Sequence, residues 1–98
     1  MHRVRVDHRA WRELDIAERW WRKHRNKAPD ALVASFDEAL DLIREQPAIG
    51  KPVRNARLPG LRRILLSRVH YHLYYRLVDD VVIILSLWHA SRRSAPRL

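Results

Sequence analysis

The sequence predicts an α+β fold in which a helical hairpin packs on one face of a small, mainly antiparallel sheet. Two observations lead to this class. The first half of the chain repeats apolar residues at helical spacing in two stretches, which a short polar link separates. The second half contains three strand-like segments in succession, and the last of them, Val81 to Leu87, is almost wholly apolar. The predicted order of elements is therefore β-α-α-β-β-β.

The first two predicted elements are a short strand and a long helix. Val4 and Val6 alternate with polar neighbours, which is typical of a strand with one buried face. Asp7 then stands where it can cap a helix. The apolar stripe of that helix, at steps of four, three and four residues, consists of Ala10, Leu14, Ala17 and Trp21. The helix is predicted to bury this stripe against the sheet.

A second helix follows after a short link, so the two helices are predicted to form an antiparallel hairpin. Pro29 is predicted at its first position, where the missing N–H costs nothing. Its stripe consists of Leu32, Phe36, Ala39, Leu40 and Ile43. Pro47 is predicted to end the helix, and a loop then extends from Gly50 to about Gly60.

The last three predicted strands complete the sheet. Ile64-Leu65-Leu66 begins the first of them. In the next, Tyr71 to Leu77 alternates so that His72, Tyr74 and Arg76 face away from the helices, with His70 assigned to the same face. Asp79-Asp80 is predicted to form a two-residue hairpin turn.

The composition indicates one soluble domain, residues 1–98, with an acidic partner. The net charge of +9 favours nucleic acid, an acidic peptide or an anionic surface as a partner. The absence of cysteine excludes disulfides, thiolate metal sites and a cysteine nucleophile. With no signal-like segment and no apolar run long enough for a bilayer, the expected location is the cytoplasm and no membrane contact is predicted.

The outward face of the sheet carries the first candidate site. His72, Tyr74 and Arg76 would repeat roughly 7 Å apart along one strand, and Arg63 on the neighbouring strand could join them. These residue types suit RNA cleavage, which needs a base, an acid and cations around the phosphate. The same pattern is also typical of an ordinary solvated sheet face, and both interpretations remain open.

A second group of candidates lies at the end of the last strand and on the first helix. His89, Arg92 and Arg93 could clamp a phosphate or a carboxylate, or could form a basic tail that aids solubility. Trp11 and Trp20 point away from the core stripe, so they could form a patch for a protein partner. The alternative is a broad apolar face that is buried within the domain.

No metal or cofactor is predicted. His70 and His72 could ligate a metal from one strand face, but no third ligand is evident from the sequence. With only two glycines the chain has no glycine-rich phosphate loop. No Ser-His-Asp arrangement follows from the spacing.

Several sequence segments, which together span nearly the whole chain, resemble those of the RelE/ParE superfamily of toxins from bacterial toxin–antitoxin systems. They are Glu13 to Ala17, Phe36 to Leu40, Gln46 to Val53, Leu61 to Leu66, His70 to Arg76 and Trp88 to Arg93. The resemblance is nearer to the ParE-like branch than to the RelE-like branch. It implies the same β-α-α-β-β-β fold.

The resemblance implies one of two activities. ParE-like toxins poison DNA gyrase, whereas RelE-like toxins cleave mRNA on the ribosome with basic residues and often a C-terminal Tyr. Leu65 stands where RelE-like proteins carry a strand Lys, and no Tyr follows Arg93. The expected function is therefore gyrase inhibition without chemistry of its own. The alternative is a ribosome-dependent mRNA endonuclease using Arg63, His72, Arg76 and Arg92, and a second alternative is an inactive member that acts only in antitoxin-linked autoregulation.

The resemblance also implies a cognate antitoxin encoded beside the toxin. Such an antitoxin would neutralise the basic surface with a flexible, often acidic segment that folds on binding. The residues predicted to bind the target or the antitoxin are Arg62, Arg63, His72, Tyr74, Arg76, His89, Arg92 and Arg93. Trp11 and Trp20 are predicted as further antitoxin contacts on the helices.

Overall fold

Two helices pack on one face of a five-stranded sheet in the computed structural model, which describes residues 1–98. In chain order the elements are β1 (Arg3–Val6), α1 (His8–His24), α2 (Ala31–Glu45), β2 (Lys51–Pro52), β3 (Arg62–Leu66), β4 (Tyr71–Val78) and β5 (Val81–His89). The strand order is β1-β5-β4-β3-β2. Only β1 and β5 are parallel, so the predicted α+β class and mainly antiparallel sheet are confirmed.

The structure corrects the prediction at two places in the chain. Lys51 and Pro52 do not belong to the loop, because they form β2 and pair with β3. Proline is tolerated there because β2 is the edge strand of the sheet. Helix α2 begins at Ala31 rather than Pro29, with Asp30 at the N-cap position.

The core lies between the helix hairpin and the facing side of the sheet. Ala10, Leu14 and Ala17 are the buried residues of α1, in agreement with the predicted stripe. The buried cluster also contains Leu32, Phe36, Ala39 and Ile43 of α2, Leu73 and Tyr75 of β4, and Val82, Ile84 and Leu87 of β5. Leu73 and Tyr75 share one face because strand residues two apart point the same way. Burial of these aliphatic and aromatic side chains is the main favourable contribution to folding.

Helix α1 is fixed to β5 by a carboxylate as well as by apolar packing. Strand β1 is short, and its pairing with β5 ends at Ile84. Beyond that point β5 is bonded to Glu13 of α1 instead of to β1. The Glu13 Oε1 accepts hydrogen bonds from Ser86 Oγ at 2.8 Å and from the Leu87 N–H at 3.1 Å. Arg9 lies one turn earlier and pairs with the same carboxylate. The helix therefore begins where β1 stops and covers the remaining edge of β5.

The segment between α2 and β3 is held against the sheet by one tyrosine. The hydroxyl of Tyr75, which is fully buried, accepts a hydrogen bond from the Gly50 N–H and donates one to the Pro47 carbonyl, both at 2.8 Å. Arg62 donates to the Gly50 carbonyl at 2.7 Å from the same side of the sheet. Burial is the main reason that the pKa of the Tyr75 hydroxyl is raised, so the hydroxyl stays protonated and can donate.

Strands β4 and β5 form a hairpin with two irregularities. Asp79 and Asp80 both have positive φ, at 48° and 68°, which is the geometry of the predicted two-residue turn. The register shifts between Tyr74 and Tyr75, which pair with Ser86 and Ile84 and leave an extra residue on β5. Such a bulge bends the sheet locally.

Candidate functional site

The face of the sheet opposite the helices, called here the open face, combines polar, aromatic and cationic side chains. The register places Arg63 opposite Tyr74, and Leu65 opposite His72. His72 in turn lies opposite Trp88 on β5. Directly paired residues share a face, so the alternation predicted for β4 brings these side chains together.

Residues 94–98, which come after the turn beyond β5, extend from Trp88 to the loop at Arg57 and lie beside Tyr74 on the open face. Tyr74 is only 2% exposed even though it faces away from the helices. Tyr74 lines a small cavity together with Leu61, the loop at Arg54 to Arg57 and the segment Ala95 to Leu98, in which Pro96 is also buried. Tyr74 therefore lies on the predicted face but is not available at its surface.

Three donors hold this terminal segment by its backbone carbonyls. The Trp88 indole Nε1 donates to the Ser94 carbonyl at 2.7 Å. Arg9 on α1 donates to the Arg97 carbonyl at 3.1 Å. The Arg57 N–H donates to the Leu98 carbonyl at 2.7 Å. The contacts of Arg9 and Arg57 join distant parts of the chain and are not visible as a local pattern in the sequence.

The polar groups of the open face contact the protein itself. Arg63 Nη1 lies 3.5 Å from the Tyr74 hydroxyl, and Arg76 Nη1 lies 3.3 Å from the Pro59 carbonyl. The His72 ring meets the Tyr74 ring edge-on, with centroids 6.2 Å apart. Leu65 next to His72 is 47% exposed and offers no polar group. The face thus has cations and one imidazole, while the phenol that could serve as an acid is covered.

A second candidate site is an apolar groove between α1 and the end of the β4–β5 hairpin. Its volume is about 350 Å³. Helix α1 contributes Ile16 and Trp20, which are 64% and 42% exposed. The sheet side and rim of the groove consist of Tyr71, Leu87, Trp88, His89 and Arg92. This groove places large apolar side chains at the surface beside cations.

Cations surround the aromatic side chains of the groove. The Arg92 guanidinium lies 4.0 Å from the centroid of the Trp88 ring. On α1 the Trp20 ring stacks on His24 with centroids 4.5 Å apart, and Arg25 lies 5.1 Å from the same ring. Cations over aromatic faces are attracted by the ring quadrupole.

The predicted site residues therefore fall into two separate groups. Arg63, His72, Tyr74 and Arg76 belong to the open face, whereas His89, Arg92 and Trp20 line the groove. Arg62 belongs to neither, because its guanidinium bonds the Ala48 and Gly50 carbonyls on the other side of the sheet. Arg93 is exposed in the turn after β5. Trp11 is exposed as well, with its ring centroid 6.5 Å from that of Phe36.

Sequence reasoning assigned no binding role to three other residues that these sites use. Tyr71 and Leu87 were assigned to the sheet by alternation and apolar content alone, and both line the groove. Arg9, which bonds the Arg97 carbonyl, was not singled out at all. The one signal that could have identified these residues is the sheet register, which the sequence does not contain.

The charge of the protein is divided between its two layers. Residues 8–45, the helical layer, have eight basic and eight acidic side chains. The whole net charge of +9 therefore belongs to the strands, the loops and the terminal segment. An acidic partner would be attracted to the sheet side of the molecule rather than to the outer face of the helices.

The structure assembles no group of three or more His, Asp or Glu side chains that could hold a metal ion. His70 has a positive φ of 65° and lies in the turn before β4, so its assignment to the face of His72 is wrong. It packs instead against His89, with ring centroids 5.7 Å apart. Neither helix has the length and apolar character needed to cross a membrane.

The stability of the protein is expected to fall as the pH is lowered from about 7 to about 5. Burial is the main cause that lowers the pKa of His72 and His89, with Arg63 acting on His72, Arg92 on His89, and His70 on both. Each folded pKa lies below the unfolded value of about 6.5, so the unfolded chain binds more protons as the pH falls. Urea denaturation of the wild type and of the variant His72→Gln, His89→Gln across this range measures the effect. The variant should lose less stability than the wild type over this pH range. Equal losses would contradict the assignment of the pH dependence to His72 and His89.

The comparisons with known proteins agree on one family. The model for the ParE toxin of the type II toxin–antitoxin system parDE matches residues 4–94. Y4kP of Sinorhizobium fredii (strain NBRC 101917 / NGR234), whose name marks it as a toxin candidate, is 33% identical over 91 residues, covering 93% of this chain and 91% of that protein.

Two solved structures share the fold over almost the full length. The E. coli RelBE toxin–antitoxin complex contains a chain that is 26% identical with a TM-score of 0.63, covering 94% of this chain and 100% of that one. The chromosomal ParDE system of P. aeruginosa matches with a TM-score of 0.67 at 16% identity, covering 93% of this chain and 98% of that one. At 16% identity the second match shows the fold alone.

Proposed function

The chain belongs to the ParE toxin family of type II toxin–antitoxin systems, and from this premise we propose that it arrests growth by inhibiting DNA gyrase. In this proposal it acts in the cytoplasm without chemistry of its own, and a cognate antitoxin keeps it inactive until the antitoxin is lost.

The burial of Tyr74 on the open face is the observation that carries the choice of gyrase over mRNA. Cleavage of RNA on this face would need a base and an acid within hydrogen-bond reach of one phosphodiester. The Tyr74 side chain is buried beside a cavity that residues 95–98 also line, and the exposed neighbour of His72 is the apolar Leu65. This arrangement supports a toxin that binds its target rather than one that cuts it.

The apolar groove supports an antitoxin segment as its occupant. Ile16, Trp20 and Tyr71 would bury apolar side chains of such a segment, and Arg92 and Arg25 at the rim would pair with its carboxylates. An amphipathic acidic segment matches both features. The related E. coli structure is a RelBE toxin–antitoxin complex and the P. aeruginosa structure is of a ParDE toxin–antitoxin system, which agrees with this assignment.

The test is induction of the toxin alone, with plasmid topology and mRNA integrity measured in the same cells. We expect relaxed plasmid, DNA damage and filamentation, with intact transcripts. Purified toxin should inhibit supercoiling by gyrase, and addition of the antitoxin should restore it. Unchanged supercoiling by gyrase at saturating toxin would refute the proposal.

A second candidate is ribosome-dependent mRNA cleavage, which one observation favours. Arg63, His72 and Arg76 share the open face, and the lowered pKa of His72 keeps its imidazole neutral near pH 7, as a general base requires. This candidate predicts transcript cleavage that His72→Gln or Arg76→Gln abolishes. Harmless expression without cleavage or topological change would indicate a member that acts only through its antitoxin in autoregulation.

A further inference from the structure

The apolar groove contains a histidine that acts as a hydrogen-bond acceptor, a property that the proposed antitoxin contact leaves unused. His89 lines the groove at the end of β5 and is partly buried. Its Nδ1 accepts a hydrogen bond from the Ser91 N–H at 3.1 Å. A backbone N–H can only donate, so this nitrogen carries no proton in the arrangement observed. The structure therefore contains the neutral form of the His89 ring.

The turn that follows β5 depends on both acceptors of His89. The Ser91 N–H bonds the ring nitrogen, and the Arg92 N–H bonds the His89 carbonyl at 3.2 Å. This turn carries the Arg92 guanidinium, which lies 4.0 Å from the centroid of the Trp88 ring. Both Trp88 and Arg92 line the groove. The neutral ring of His89 thus helps to fix one wall of the groove.

The groups that face His89 from β4 and from the turn oppose its protonation. The His89 ring meets the rings of Tyr71 and His70 edge-on, with centroids 5.0 and 5.7 Å away. Burial lowers the pKa of the His89 ring most, and His70 and Arg92 lower it further. Burial also raises the pKa of the Tyr71 hydroxyl, so Tyr71 remains an uncharged phenol. None of these neighbours offers a negative charge to an imidazolium.

No free carboxylate faces His89 from the helix side of the groove either. Glu13 is the only acidic side chain among the groove residues. Its carboxylate is already engaged by two donors of β5 and by Arg9. The ionisable groups that lie against the helix wall, His24 and Arg25, are basic. A proton on His89 would therefore add a charge that no group of the free toxin compensates.

Occupation of the groove makes this charge more costly still. Apolar side chains of an antitoxin segment would remove the remaining water from His89, and a charge buried without a partner is far less stable than a neutral ring. The carboxylates of the segment would pair at the exposed rim, where ion pairs contribute little. We propose that His89 makes antitoxin binding sensitive to pH, because the neutral ring fixes the groove wall and its protonation weakens the bound complex. This inference rests on the proposed binding of the antitoxin in the groove, and not on gyrase being the target.

The direction of the pH dependence follows from which state of the toxin binds the proton more weakly. When the pKa of His89 is lower in the complex than in the free toxin, the free toxin takes up more protons as the pH falls, and the affinity decreases. The pKa of His89 in the free toxin already lies below its usual value of about 6.5. The affinity should therefore be constant above about pH 7 and should fall below about pH 6.5.

The first experiment is calorimetric titration of the toxin with the cognate antitoxin at about pH 7.5 and about pH 5.5, with circular dichroism to verify the fold at both. The affinity of the wild type should fall roughly threefold. For His89→Asn the ratio of the two affinities should be close to one, because Asn can accept the Ser91 N–H two residues on but does not titrate. An equal fall in the wild type and in His89→Asn would overturn the proposal, as would a wild-type affinity that rises in acid.

The matched control is His8→Gln. His8 is an exposed histidine at the start of α1 and does not line the groove. This variant should show the same fall in affinity as the wild type. Loss of the pH dependence in His8→Gln would assign the effect to a histidine outside the groove and overturn the role of His89.

A second experiment uses the wild-type chain alone, so that it does not depend on the folding of a variant. Nuclear magnetic resonance of toxin with ¹⁵N-labelled histidine rings follows His89 through a pH titration, free and saturated with antitoxin. Nδ1 of His89 should be unprotonated at about pH 7, and the midpoint of its titration should move to lower pH when antitoxin binds. A midpoint that is unchanged or moves to higher pH would overturn the proposal.

The variant Ile16→Asp separates a failure of this inference from a failure of the groove assignment. If Ile16→Asp weakens antitoxin binding but the His89 titration is the same with and without antitoxin, the groove holds the antitoxin and His89 is not the sensor. If Ile16→Asp keeps wild-type affinity, the groove assignment is wrong and the role of His89 is refuted with it. Neither measurement involves gyrase, so both outcomes are independent of the supercoiling assay.

Discussion

Substitution of Gly50 by alanine is expected to destabilise the protein by about 3 kcal/mol, a large fraction of the stability of a small domain. A Cβ at this position would lie 2.6 Å from the Tyr75 hydroxyl oxygen, 2.8 Å from Tyr75 Cε1 and 2.9 Å from the Arg63 carbonyl. Two of these atoms belong to a fully buried ring and one to the backbone of β3, so none can move freely. Urea denaturation of the purified variant measures the loss as a lower midpoint.

Two comparisons separate the steric effect from other consequences of adding a methyl group. Gly60 has open space around it but a positive φ of 72°, so Gly60→Ala should cost only about 1 kcal/mol through backbone strain. Tyr75→Phe removes the hydroxyl that bonds Gly50 and Pro47, and should cost about 1–3 kcal/mol. Combined with Gly50→Ala it should cost less than the sum, because one clash disappears with the hydroxyl. A Gly50→Ala midpoint equal to that of the wild type would show that β2 is not tied to Tyr75 as described.

The variants Ile16→Asp and Trp20→Ala are each expected to weaken antitoxin binding at least a hundredfold. The first places a charge in a groove that the proposed partner fills with apolar side chains, and the second removes the largest contact surface on α1. Both side chains are exposed in the free toxin, so their replacement should leave its unfolding midpoint nearly unchanged. Calorimetric titration with the cognate antitoxin measures the effect.

The matched control for the groove is Ile49→Asp. Ile49 is also exposed, but it lies in the segment next to β2, at the other edge of the sheet from α1. This variant should bind the antitoxin with wild-type affinity and should still be neutralised in cells. If the groove variants also retain wild-type affinity, the antitoxin contacts the toxin elsewhere and the groove assignment is wrong.

Most of the fold could be predicted because it depends on short-range periodicity. The stripes of α1 and α2 and the alternation along β4 follow from which residues must be buried on one face. The Asp79-Asp80 turn has its own local signature. Strand β2 could not be predicted, because two residues carry no period, and Tyr75 and Arg62 position them from another part of the chain.

The candidate site was less predictable because it depends on register and on non-local coverage. Neighbours in a strand face opposite ways, so Arg62 and Arg63 have different roles despite their identical chemistry. Alternation indicated the direction of Tyr74, but nothing near it in the sequence indicated that it would be buried beside residues 95–98. His89 and Arg92 were recognised as cations, and only the fold shows that they border the groove on α1.

The carboxylate of Glu13 has a consequence for the behaviour of the toxin at high concentration. Beyond Ile84 the edge of β5 has no neighbouring strand, and a free edge of this kind is a template on which strands of other molecules can add and aggregate. Glu13 occupies the Leu87 N–H and brings a negative charge to that edge, and Pro52 removes a donor from the opposite edge strand. The residue that joins α1 to the sheet thus also discourages the growth of intermolecular β-structure when the toxin is separated from its antitoxin.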